Sequence, residues 1–208
     1  LLKDLITAET PLVGIEPSAI LSFRDEYPAL VDVELKEAAK ELSKCSLLYD
    51  EFIMREVEKG NISADSFTND AKKIILHGHC HQKALASVEP SAAMLSLPIN
   101  YSVETLPTGC CGMAGAFGFE KEHYDVSIAV GNETLFPLIN AATSKAATPA
   151  SETISSTPEM IISASDVGNS ALETIISAPG TSCRQQILDG TGRTAKHPVV
   201  ILREALKK

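Results

Sequence analysis

The sequence predicts an α/β protein: a mainly parallel sheet flanked by helices, with cysteine motifs in the loops after strands. Three observations carry that expectation. Apolar runs of strand length, "PLVGIE" (11–16), "KKIIL" (72–76), "INYSVETL" (99–106) and "TIISA" (174–178), alternate with stretches of helical apolar spacing. Three of these runs lead directly into cysteine-bearing loops, and open parallel sheets gather their sites beyond the carboxyl ends of the strands. Finally, 208 residues with 44% apolar and 22% charged side chains suffice for a buried core.

Each element follows from local signals. Residues 1–9 read as the end of a helix and "PLVGIE" as a short strand. "EPSAILSFRDEYP" reads as a brief helix that Pro28 closes. From Val33 to Lys59 the spacing of Leu35, Ala38, Ala39, Leu42, Leu47, Leu48, Phe52 and Ile53 is helical, and Gly60-Asn61 stops it. Cys45 lies in that pattern and reads as an inert core thiol. Up to residue 75, fifteen Asp/Glu face nine Lys/Arg, as expected of a solvated helical face. "KKIIL" is a buried strand, "QKALASVEPSAAMLS" a helix, "INYSVETL" a strand and "KEHYDVSIAVGNETLFPLINAA" a return to helix. The Ser/Thr/Ala/Pro-rich stretch 143–158 reads as a flexible insertion. "IISAS" (161–165) is nearly repeated as "IISAP" (175–179), and the second copy is expected to be the sheet strand. Pro198 opens a final amphipathic helix.

Composition narrows the function. A net charge of −9 argues against a nucleic-acid partner, which calls for a basic face. No apolar run approaches the ~20 residues of a transmembrane segment. The opening "LLKDLITAET" has neither an initiating Met nor a signal-peptide pattern, and it reads as a fragment of something longer. Without a secretory signal, the odd set Cys45, Cys80, Cys110, Cys111 and Cys183 points to metal or redox work in a reducing, cytoplasmic setting.

The chemistry lies in "HGHCHQKAL" (77–85), "GCCGMAG" (109–115) and "APGTSCRQQI" (178–187). Gaps of 29, 0 and 71 residues separate Cys80, Cys110, Cys111 and Cys183, and no zinc-knuckle spacing fits them. Adjacent side chains diverge in extended backbone, so a vicinal pair suits two atoms of a polynuclear cluster better than one ion. Gly109 and Gly112 would permit a tight turn with positive φ, and Gly115 and Gly118 an open loop with amides free for cluster sulfurs. In extended backbone His77, His79 and His81 project to one side and Cys80 to the other. His81 is a candidate further metal ligand; the alternative has these histidines bonding loop carbonyls or shielding a metal. His123 and His197 read as surface or helix-end residues.

Together with "GFEKEHYDVSIAVGNETLFPLI", these motifs resemble the cysteine-rich CCG domain of iron–sulfur oxidoreductases, over roughly residues 70–205. That family includes iron–sulfur subunits of glycolate oxidase and glycerol-3-phosphate dehydrogenase complexes and the catalytic subunit of heterodisulfide reductase. The wording is most similar to the C-terminal end of large FAD-linked 2-hydroxyacid dehydrogenase fusions. The resemblance implies a CCG iron–sulfur domain at 61–208, preceded at 1–60 by the tail of another CCG repeat and connecting helices. It implies a [4Fe–4S] cluster on Cys80, Cys110, Cys111 and Cys183, and FAD on an absent flavin-binding domain or subunit. Electrons would pass to a quinone, another carrier or a disulfide, with any contact to the inner membrane face made through partners. The fragment alone would not be catalytic. Arg184 would offset cluster charge, and His79 or His81 would assist proton-coupled transfer. Two positions depart from the family's pattern: Gly180 replaces the first cysteine of a Cys-x-x-Cys, and Ala19 replaces the cysteine of "EPSC".

Other readings use the same residues. Four thiolates, or three and a histidine, satisfy a structural zinc, and zinc can replace iron lost from recombinant protein. Metal-free thiol–disulfide chemistry at Cys110-Cys111 and a redox-inert interaction domain are further alternatives.

Overall fold

The computed structural model describes residues 2, 4–144 and 172–207. In chain order they form β1 (Leu12–Gly14), α1 (Pro17–Ile20), α2 (Glu26–Leu30), α3 (Lys36–Lys44), β2 (Ser46–Leu48), α4 (Tyr49–Glu58), β3 (Lys72–Leu76), α5 (Cys80–Leu85), α6 (Glu89–Leu95) and β4 (Tyr101–Thr105). There follow α7 (Tyr124–Glu133), α8 (Leu135–Ser144), β5 (Glu173–Ser177), α9 (Thr181–Thr191), β6 (Ala195–Lys196) and α10 (Pro198–Glu204). The protein is α/β, with parallel sheets flanked by helices, as the alternating pattern predicts.

The main sheet has the order β4-β3-β5-β6, and each adjacent pair is parallel. Successive side chains of a strand point to opposite faces, and the two cores follow that alternation. Ile75 and Ile176 pack on one face with Leu135, Phe136, Ile139 and Ile187 of α8 and α9. Ile74, Leu76 and Ile175 pack on the other with Tyr49, Met94, Leu95 and Ile201 of α4, α6 and α10. Ile75 is fully buried. Ile75→Ala is therefore expected to cost about 2–5 kcal/mol, read as a lowered chemical-denaturation midpoint. A change below measurement error would mean that the packing around Ile75 is misassigned.

A second sheet, β1 with β2 in parallel, pairs Leu12 with Ser46 and Gly14 with Leu48. Its strand β2 interrupts the helix expected over 33–59. The stretch "SLL" continues a helical apolar spacing, yet Ser46 and Leu48 are fully buried and pair with a strand more than thirty residues away. Tertiary pairing overrides local periodicity there. Cys45 accordingly ends α3 and is half-buried, outside the core.

Four other elements differ from expectation. Residues 4–9 make turns, with the Leu5 and Ile6 amides donating to the Leu2 carbonyl. Pro28 lies inside α2, in the first turn, where its missing N–H is not needed. The helix expected over 82–96 is two helices broken at 86–88, where Ser87 Oγ accepts from the Glu89 amide at 3.1 Å. The helix expected over 121–142 breaks at Thr134, whose hydroxyl accepts from the Gly109 amide at 3.1 Å.

The sheet uses the second near-repeat, as β5, and Pro198 opens α10. Thr143 and Ser144 end α8; the rest of the stretch 143–158, and "IISAS", lie outside the described residues. Among the described residues no helix is long and apolar enough to cross a membrane.

Candidate functional site

Three neighbouring strands deliver the four cysteines to one place. Leu76 is in register with Thr105 on one side and Ser177 on the other, so β3, β4 and β5 end level. Cys80 is the first residue of α5 after β3, Cys110 and Cys111 lie in the loop after β4, and Cys183 is in the first turn of α9 after β5. The sulfurs neighbour one another as a string, Cys80 beside Cys110, Cys110 beside Cys111 and Cys111 beside Cys183. Cys111 and Cys183 are buried, Cys80 is half-buried and Cys110 is exposed.

The loop backbone shapes this arrangement. Gly112 has φ 94°, and a Cβ there would run into the Ser127 carbonyl and lie 3.1 Å from Val130 Cβ. Its amide reaches Cys110 Sγ at 3.4 Å. Gly109 has no such requirement, since an added Cβ would meet only Thr134 Oγ1 at 3.6 Å. The Gly118 amide is already committed to the Met113 carbonyl at 2.9 Å and does not serve a sulfur.

The string polarises the thiols. The Cys183 S–H lowers Cys111 to about 6, against burial and with help from the Met113 amide. The contact with Cys111, and then burial, hold Cys183 well above the ordinary thiol range. Burial first, and then the charge of Cys110, raises Cys80. Lowered thiol pKa at a helix start or beside a donor is the usual signature of a ligand or reactive cysteine.

The cation at this site is Lys83. It lies on α5 three residues after Cys80, and its Nζ donates to the carbonyls of Thr108 (2.5 Å) and Gly109 (3.2 Å). Sequence reasoning missed it in favour of Arg184. The signal was its spacing from Cys80, which puts both on one helix face. The Arg184 guanidinium is occupied instead with the carbonyls of Ala178 (3.0 Å) and Pro179 (2.7 Å) and with Thr181 Oγ1 (3.1 Å), bracing the loop before Cys183.

The histidines divide by role. His77 is fully buried, its Nδ1 2.6 Å from Thr108 Oγ1, and burial pushes it down to about 3, so it is neutral. It ties the Cys80 strand to the Cys110 loop. His79 caps α5, its Nδ1 accepting from the His81 amide at 3.2 Å. Its ring lies against Gly180, where an added Cβ would strike the imidazole and stand 3.2 Å from Cys183 Sγ. The glycine thus leaves to His79 the space a side chain at 180 would take. His81 is grouped with Asp25 and Glu26. His123 stacks on Phe117 and pairs with Glu120 at 2.7 Å. His197 caps α10 and its Nε2 meets the Ile15 carbonyl at 3.0 Å.

Buried polar residues hold the supporting helices. Asp50, whose carboxyl burial pushes up, accepts from Ser91 Oγ and from Gln82 Nε2 at 2.9 Å, fixing α5 on α4 and α6. Gln186 Nε2 donates to the Ser127 carbonyl at 2.9 Å and its Oγ at 3.1 Å, joining α9 to α7 behind the Gly112 turn. Glu16 accepts from the amide (2.9 Å) and hydroxyl (3.0 Å) of Thr181, so the "EPSA" segment braces the start of the Cys183 helix. Ala19 is exposed on α1.

Spacing bears on the metal. Among the described residues the only three ligand atoms of His, Cys, Asp or Glu that all lie within 4.8 Å of one another belong to Asp25, Glu26 and His81. No three of the cysteine sulfurs are that close. Thiolates on one tetrahedral zinc, at about 2.3 Å from it, would stand only about 3.8 Å apart. The four sulfurs therefore form an open string rather than a closed tetrahedral cage, a thiol-rich donor set with the Gly112 amide and the Lys83 ammonium nearby.

No family model matches the chain, and no solved structure matches it. Among curated proteins it is similar to D-2-hydroxyglutarate dehydrogenase of Escherichia coli (strain K12), 25% identical over 198 residues, covering 95% of this chain and 16% of that protein. It is 23% identical over 200 residues to a subunit of the anaerobic glycerol-3-phosphate dehydrogenase of the same organism, covering 94% of this chain and 40% of that polypeptide. D-2-hydroxyglutarate dehydrogenase of Haemophilus influenzae (strain ATCC 51907 / DSM 11121 / KW20 / Rd) is 30% identical over 132 residues, covering 56% of this chain and 12% of that protein. The chain thus spans 12–40% of the length of these relatives, and the likeness is to parts of dehydrogenases.

Proposed function

We propose that this chain is an iron–sulfur electron-transfer domain of a flavin-linked 2-hydroxyacid oxidoreductase. The observation that carries the reading is the convergence of Cys80, Cys110, Cys111 and Cys183 on the level ends of three parallel strands. Similarity to parts of two kinds of dehydrogenase supports the oxidoreductase assignment. Those four cysteines would hold a [4Fe–4S] cluster, which when bound supplies one-electron transfer. The chain's own contribution is to fix the ligands on level strand ends and bury Cys111 and Cys183. Cys110 is left at the surface as the nearest sulfur to a partner.

In this reading residues 61–208 are the CCG domain and 1–60 the tail of a preceding repeat. Leu30 and Val33, each 81% exposed, support the second assignment, because apolar side chains so exposed suit burial against further protein. FAD belongs to a separate domain or subunit, and the acceptor is a quinone, a carrier or a disulfide. The setting is cytoplasmic, with any membrane contact made through partners.

Anaerobic reconstitution with ferrous iron and sulfide tests the proposal. The expected result is a brown protein absorbing at about 400 nm, with iron and sulfide in equal amounts and bleaching by a strong reductant. Zinc as the sole metal retained, without that absorbance, would overturn it in favour of a structural zinc site.

A further inference from the structure

A thiolate-bound cluster is negative and becomes more so on reduction, so a nearby fixed cation should decide how readily it accepts an electron. Two cationic side chains stand next to the cysteine motifs. Arg184 has its guanidinium taken up by two carbonyls and a hydroxyl of its own loop. Lys83 does something different. It rises from the helix that begins with Cys80 and places its ammonium on the carbonyls of Thr108 and Gly109, immediately before Cys110-Cys111. One charge therefore bridges the first and second cysteine motifs. Burial lowers the Lys83 pKa, and the four cysteines, Cys80 foremost, oppose that shift.

We propose that Lys83 is a positioning residue that raises the reduction potential of the four-cysteine site through its charge, while clasping the Cys110 loop to the Cys80 helix. The inference rests on the cluster reading. Cys80, Cys110, Cys111 and Cys183 would hold a group that takes one electron from a reduced donor (flavin in a complete system, a chemical reductant in the test), and the Lys83 ammonium would stabilise the added charge without giving up a proton. Lys83 is exposed along much of its length, so its effect should weaken as salt screens it.

Three variants separate charge from bracing. Lys83→Arg keeps charge and donors, Lys83→Gln keeps a donor without charge, and Lys83→Met keeps neither. After reconstitution, the midpoint potential should stay near wild type in K83R and move to more negative values in K83Q and K83M. The gap between wild type and K83Q should narrow as ionic strength rises. A K83Q potential equal to wild type at low salt overturns the inference, because only bracing would then matter. Failure of the wild-type protein to take up iron and sulfide would instead sink the cluster reading. If K83Q does not load, K83M against K83R gives the second readout: the K83M potential should lie below that of K83R at low salt and approach it as ionic strength rises; equal potentials at low salt would also overturn the inference.

Discussion

Cys111→Ser and Cys183→Ser should each reduce iron retained after reconstitution at least tenfold and remove the absorbance at about 400 nm. A hydroxyl in place of either thiol is a poor iron ligand at neutral pH. Each change also breaks the contact in which Cys183 lowers Cys111 to about 6. Both positions are almost fully buried, 3% and 1% exposed, so solvent or an added thiol cannot easily supply the missing donor. Cys45→Ser is the control. Cys45 is half-buried at the end of α3, apart from the string of sulfurs, and its loss should leave iron content unchanged. Wild-type iron content in both site variants would remove these cysteines from the ligand set.

Gly112→Val should destabilise the protein by about 3 kcal/mol, combining backbone strain with overpacking. The position has φ 94°, where a β-branched residue is disfavoured. An added Cβ would also meet the Ser127 carbonyl, and that carbonyl already accepts from Gln186 Nε2 at 2.9 Å. Movement there would disturb both the Cys110-Cys111 turn and the α7–α9 contact behind it. For a domain of this size the cost corresponds to a fall of about 6–12 °C in Tm, measurable by calorimetry on the metal-free protein. Gly109→Ala, whose Cβ would make only an ordinary contact with Thr134 Oγ1 at 3.6 Å, should change Tm by less than about 2 °C. Equal effects from the two substitutions would show that the turn is not built as described.

The sequence by itself determined the fold class, the main-sheet strands β3, β4 and β5, and the placement of every cysteine motif after a strand. These properties are local. An apolar run of five residues bounded by turn signals reads as a strand wherever it is found, and its next few residues must lie at its carboxyl end. What the sequence did not reveal depended on distant partners. Strand β2 exists because Ser46–Leu48 pairs with Leu12–Gly14, a contact that a helical spacing conceals. The break at Thr134 makes sense only beside the Gly109 amide that its hydroxyl accepts.

The same division runs through the site. Cys80, Cys110, Cys111 and Cys183 were legible because cysteine is rare and chemically specific. Lys83 and Arg184 were not separable on paper, since each follows a cysteine closely and carries the same charge. Only the folded chain assigns Lys83 to the Cys110 loop and Arg184 to its own loop carbonyls. His79 filling the space beside Gly180, and Glu16 capping the helix of Cys183, were likewise decided in three dimensions. Residue type announces what a side chain can do, but long-range packing sets which partner lies within hydrogen-bond reach, and at about 3 Å that distance decides its role.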